Sequence, residues 1–303
     1  MFRNDDWLGV RITTMSFQSS DQAKTYVVNV TSLHRTHEES LRWLNDLRGY
    51  LSRADDDQSR QTWQEQIEST ETWLASTEYK EGNHPQSIDE HVLELIEWRA
   101  LQHAFQLVDT QRKPFDDYVF YQQWLIGSVY AAYSILGKLT GTGKQETSLI
   151  KVWRIVEPWI KRDRACTPAE LKCISARING PEPQFTNRYS KAILFRNSVI
   201  AHNEKSISIA WGEIDKDIQT LARIWSLLVS WSSLGIFAPF RSGRHAFAGL
   251  ESNYTSEELT QLLKKRQEYI DQSIKWMTSF LHSGAPDSGR GPLATIDLKP
   301  ELY

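Results

Sequence analysis

Asp116-Asp117-Tyr118-Val119-Phe120-Tyr121-Gln122-Gln123-Trp124-Leu125-Ile126-Gly127-Ser128-Val129-Tyr130-Ala131-Ala132-Tyr133-Ser134-Ile135-Leu136-Gly137-Lys138-Leu139 is apolar on most faces of a helix. Pro114 bounds it on one side and Thr140-Gly141-Thr142-Gly143 on the other. A segment of this length and pattern predicts a central buried helix. Alternating strand patterns are nearly absent on either side of it, so the chain reads as all-α.

Towards the N-terminus, Leu41, Leu44, Leu47 and Leu51 recur at spacings of three and four, which predicts one helix over about 21–51. Asp55-Asp56-Asp57 marks a turn and the next helix start, where acids complement the helix dipole. Trp63, Ile67, Thr70 and Trp73-Leu74 continue the pattern, giving a helical hairpin arm. Gly82-Asn83-His84-Pro85 breaks it, and Ser87 with Glu90 forms a capping box for a helix reaching about Val108.

Towards the C-terminus, a helix spans about 146–160 with Pro158 near its end. Thr167-Pro168-Ala169-Glu170 is a strong helix start, and Asn179-Gly180-Pro181 a stop. Further helices are expected from near Thr186, over about 209–234, and from Ser256 with Glu258 to about Phe280. An aromatic, glycine-rich loop occupies 236–254. The expected organisation is a tail (1–20), an N-terminal helical arm (21–110), a helical bundle (111–282) and a disordered tail (283–303).

The chain has 303 residues, 24% charged and 40% hydrophobic, as an ordinary globular protein does. No apolar stretch follows the charged start, so no signal peptide is expected, and no run is long enough to span a bilayer. Two cysteines, Cys166 and Cys173, fit a reducing cytoplasm and lack zinc-ligand spacing. The net charge of −3 conceals an asymmetry. Residues 54–98 hold twelve acidic and two basic side chains, a net of −10, whereas residues 144–205 hold twelve basic and six acidic ones, a net of +6. A local positive field of that kind suits a polyanion such as RNA.

The basic block ends on Arg196-Asn197-Ser198-Val199-Ile200-Ala201-His202-Asn203. Arginine offers a planar charge matched to phosphate, and histidine moves a proton near neutral pH. Of the eight histidines, only His202 follows an arginine with four to six residues between the two. On a straight helix the two side chains would point about 120° apart. They converge only if the helix ends or bends near His202, where Asn203 is a suitable C-cap, or if a second protomer contributes.

Arg196-Asn197 followed by Ala201-His202-Asn203 resembles the R-x4-6-H signature of the HEPN superfamily, and Phe195-Arg196-Asn197 through Ile200-Ala201-His202-Asn203 looks like its AbiU2-type abortive-infection branch. The resemblance covers about residues 115–235. It implies a HEPN-like helical bundle in which two copies of the motif meet across a homodimer axis in a composite cleft. It further implies a metal-independent endoribonuclease acting in abortive infection or as a toxin, with a possible antitoxin or regulator as partner. The catalytic residues would be Arg196, His202 and Asn197, and Asn203, Arg188 and Lys191 would contact RNA. No cofactor, metal or membrane partner is implied. The alternative is a non-catalytic helical protein for dimerisation or RNA binding.

Two other patterns carry less. Gly137 to Lys144 superficially resembles a phosphate loop, but the glycine spacing is wrong, Gln145 replaces the hydroxyl residue and no strand precedes it. His34 and His37 lack a third ligand and read as a solvated helix face.

Overall fold

The computed structural model describes residues 17–31, 37–76, 87–143, 147–201, 209–232, 240 and 245–281. Most of the two expected tails, at 1–16 and 282–303, lies outside the described residues, as does His34. Among the described residues the regular elements are all helical, so the fold is all-α. The helices are α1 (Ser20–Thr31), α2 (His37–Ser52), α3 (Asp57–Ala75), α4 (Ile88–Leu107), α5 (Pro114–Asp117), α6 (Val119–Thr140), α7 (Leu149–Asp163), α8 (Pro168–Asn179), α9 (Lys191–Phe195), α10 (Trp211–Ser232) and α11 (Ser256–Thr278). A π-helical segment, Arg196–Ala201, follows α9 directly.

The chain divides into two compact units, one of Met1–Thr31 with His91–Tyr303 and one of Ser32–Glu90. The smaller unit contains the α2–α3 hairpin. Leu44, Leu47 and Ile67 form its core, with Leu51, Trp63 and Leu74 packed around them. Asp56 opens α3 by accepting the Ser59 N–H at 2.8 Å. The smaller unit, Ser32–Glu90, falls within the expected arm of 21–110. The helix expected over 21–51 is two helices, α1 and α2, and α1 belongs to the larger unit, as does α4 from His91 onward. Leucine spacing alone does not reveal such a division, because both helices bury an apolar face.

In the larger unit α1 packs on α7 and α10, burying Ala23 and Val27 completely. The Asp163 carboxylate draws Ser20 of α1 and Trp231 of α10 together, accepting the Trp231 Nε1–H at 2.9 Å. The most enclosed helix is α10, which is buried continuously from Thr220 to Val229. The expected central helix, α6, instead buries one side (Tyr121, Ala132, Ile135, Leu136, Leu139) and exposes Val119, Phe120, Ile126 and Tyr130. Hydropathy ranks the two helices in the wrong order for a physical reason. α10 carries charges that are buried because partners on other helices neutralise them.

Two such pairs lock the bundle. Arg99 of α4 meets Asp215 of α10 with two contacts of 2.9 Å, and Tyr269 of α11 donates to the same carboxylate at 2.6 Å. Glu170 of α8 accepts from Arg223 of α10 at 2.7 and 3.0 Å, and from the Leu281 N–H. Both arginines and both carboxylates are almost fully removed from solvent. An aromatic cluster of Phe105, Phe115, Tyr121, Trp124, Phe247 and Tyr254 joins α4, α5 and α6 to the 245–254 turn.

The expected caps form. Ser87 and Glu90 exchange their hydrogen bonds at the head of α4, and Thr167 accepts the Glu170 N–H at the head of α8. At α11 the capping box uses Thr255, one residue before the expected Ser256, with Glu258 at its third position. Gly137 and Thr140 belong to the last turn of α6, so no phosphate loop begins there.

Candidate active site

The motif segment is short and held from both sides. Ser190 caps α9 by accepting the Ile193 N–H at 3.0 Å, and its hydroxyl donates to the buried Asp217 of α10. Asp217 also accepts from Gln184 at 2.7 Å. Burial pushes the Asp217 carboxyl up to about 6, against the pull of these two donors. The helix expected from Thr186 therefore starts five positions later than Thr186, at Lys191, because Thr186–Ser190 is a turn closed by the Ser190 N–H on the Thr186 carbonyl.

After one turn of α-helix the chain widens into the π-helical segment that begins at Arg196. Such segments are rare, short and frequent at functional sites. Its residues pack on α6. Phe195 packs against Tyr133 with its ring tilted, the ring centroids 4.8 Å apart. Arg196 docks one helical turn further along α6, against Gly137. A methyl group on Gly137 would lie 2.3 Å from Arg196 Nε and 2.7 Å from Cζ. The guanidinium thus rests on helix backbone, in space that only glycine leaves open.

Its outer edge is fixed by amides. Arg196 Nη1 donates to Asn197 Oδ1 at 2.8 Å, and Asn197 Nδ2 donates to Asn187 Oδ1 at 2.6 Å. No carboxylate among the described residues forms an ion pair with Arg196, in contrast to Arg99 and Arg223. The guanidinium is held in place but not neutralised, so it retains its charge for an anion.

Arg196 and Asn197 are thereby brought together. Lys191, expected to contact RNA, lies at the start of α9 and turns towards Glu213 of α10, 3.2 Å away. Arg188 is exposed in the preceding turn and lies over the Tyr189 ring at 5.2 Å. His202 and Asn203 lie outside the described residues. No group of three metal-ligating side chains occurs among the described residues. Both cysteines are free thiols, and burial pushes the Cys166 thiol up to about 11, which disfavours a thiolate nucleophile.

Sequence reading missed Gly137, Asn187, Ser190 and Asp217. Only Gly137 had a signal, as a glycine inside an otherwise continuous helix pattern, where a close backbone approach is a common reason. No helix among the described residues is long and apolar enough to cross a membrane. Comparison of the chain with protein-family models, curated proteins and solved structures gives no match.

Proposed function

We propose that this chain is a metal-independent endoribonuclease of the HEPN type, working as a homodimer with a composite cleft. The observation that carries the reading is the Arg196 guanidinium: seated on α6, oriented by Asn197 and left without an acidic partner among the described residues. A fixed planar cation of this kind matches two oxygens of a phosphate.

In this reading His202 takes the proton from the RNA 2′-hydroxyl as general base. The 2′-oxygen attacks the adjacent phosphorus and the bond to the 5′-oxygen breaks. The products are a 2′,3′-cyclic phosphate and a 5′-hydroxyl, the second His202 of the dimer supplying the proton to the leaving oxygen. Arg196 neutralises charge growing on the non-bridging oxygens. Asn197 holds Arg196 in plane, and Asn203, Arg188 and Lys191 follow the RNA backbone. Lys191 would exchange Glu213 for phosphate, an exchange that costs little because exposed ion pairs are weak.

The dimer is supported by the outer face of α6. Val119, Ile126 and Tyr130 are exposed and share the helix face of Gly137, at spacings of seven, four and seven, so an apolar stripe runs along α6 to the Arg196 seat. Exposed stripes of this kind mark protein contacts. Abortive infection or a toxin role, with an antitoxin or regulator as partner, is the biological setting that goes with this activity. The test is RNA cleavage in excess chelator by the wild-type chain beside His202→Ala and Arg196→Ala.

A further inference from the structure

We propose that Gly137 is a positioning residue for Arg196: its missing side chain is the seat that aims the guanidinium of the motif. This rests on the endoribonuclease reading for its consequence, though not for its geometry. Gly137 lies inside α6, three residues before the helix ends, where alanine would favour the helix. Its backbone does not require glycine, since among the described residues the one glycine with positive φ is Gly249. The nearest obstacle to a side chain there is Arg196. The three nearest atoms to an added Cβ are Arg196 Nε, Cζ and Nη2, at 2.3, 2.7 and 2.7 Å.

All three atoms belong to the far end of a flexible side chain. A methyl group there would displace the guanidinium and leave helix and core intact. Displacement breaks the one fixed geometry available to Arg196, because its Nη1 contact to Asn197 depends on the same seat. The two halves of the device act together. Gly137 sets the depth of the guanidinium against α6, and Asn197, itself held by Asn187, sets its plane. Gly127 offers an internal control on the same helix, for nothing lies within 4 Å of a Cβ placed there.

The experiment compares wild type, Gly137→Ala and Gly127→Ala by the rate at which phenylglyoxal modifies Arg196, read by mass spectrometry of its peptide. Gly137→Ala is expected to fold and to label several-fold faster, with Gly127→Ala matching wild type. Equal labelling of Gly137→Ala and wild type overturns the proposal, and so does faster labelling of both variants. A second measurement uses RNA. Gly137→Ala should lower kcat roughly 10–100-fold, the usual cost of a misplaced group, and should cost nothing further in an Arg196→Lys background. Additive losses in that double variant overturn the positioning role. A wild-type chain that cleaves no RNA would defeat the endoribonuclease reading and leave the labelling result to decide Gly137 by itself.

Discussion

The Ser190 hydroxyl joins two helices through one oxygen, accepting the Ile193 N–H at the head of α9 while donating to the Asp217 carboxylate of α10. The start of the motif helix is therefore fixed by a buried acid on the most enclosed helix of the bundle. Asp217 is 2% exposed, and burial raises its pKa from an ordinary 3.8 to about 6. Between those values the folded chain holds a proton that the unfolded chain has lost. The stability from this group is complete below pH 4 and is lost as pH rises through 6.

His103 works in the opposite sense. Burial, with Arg99 beside it, lowers its pKa from 6.5 to about 4. The unfolded chain takes up that proton first as pH falls through 6.5, so this contribution is lost on acidification. Comparing wild type with Asp217→Asn separates the two. The wild-type advantage in urea unfolding should grow as pH falls from 7 to 4, by no more than about 3 kcal/mol for a shift of roughly two units. A difference that stays constant with pH would contradict the assignment.

Glu170 is fully buried and its carboxylate accepts three hydrogen bonds, two from Arg223 and one from the Leu281 N–H. Glu170→Ala leaves a buried guanidinium without its counter-charge and should cost about 3–5 kcal/mol. Replacing both Glu170 and Arg223 with Met should cost clearly less, since removing both charges removes the desolvation penalty with the pair. Denaturant midpoints for the two variants test this, and equal losses would count against it.

The exposed side chains of α6 predict self-association. Val119 and Phe120 are 70% and 69% exposed, far above what a packed apolar residue shows. Sedimentation at micromolar concentration should show a dimer for wild type and a shift towards monomer for Val119→Ser combined with Ile126→Ser. A monomeric wild type would remove the support that this face gives to a composite cleft.

The sequence made the all-α class legible because helix periodicity and caps are local. Ser87 with Glu90, and Thr167 with Pro168 and Glu170, act within four residues of themselves. What escaped it is long-range. Arg99 and Asp215 are 116 positions apart, and Glu170 and Arg223 are 53 apart, so nothing local shows that these charges are buried. Without them α10 looks amphipathic and α6 looks central, the reverse of what the structure shows. The motif itself was visible as Arg196 and Asn197, but its support was not. Asn187 and Gly137 have no fixed spacing from Arg196, and the π-helical widening follows from packing on α6.

Cleavage of a defined RNA in excess chelator tests the central claim most directly, with wild type, His202→Ala and Arg196→Ala run side by side. Wild type should cleave, leaving 2′,3′-cyclic phosphate ends. Each substitution should slow cleavage about 10²–10⁴-fold, the range for loss of one acid–base or charge-stabilising group. Cleavage abolished by chelator, or His202→Ala as fast as wild type, would contradict the account.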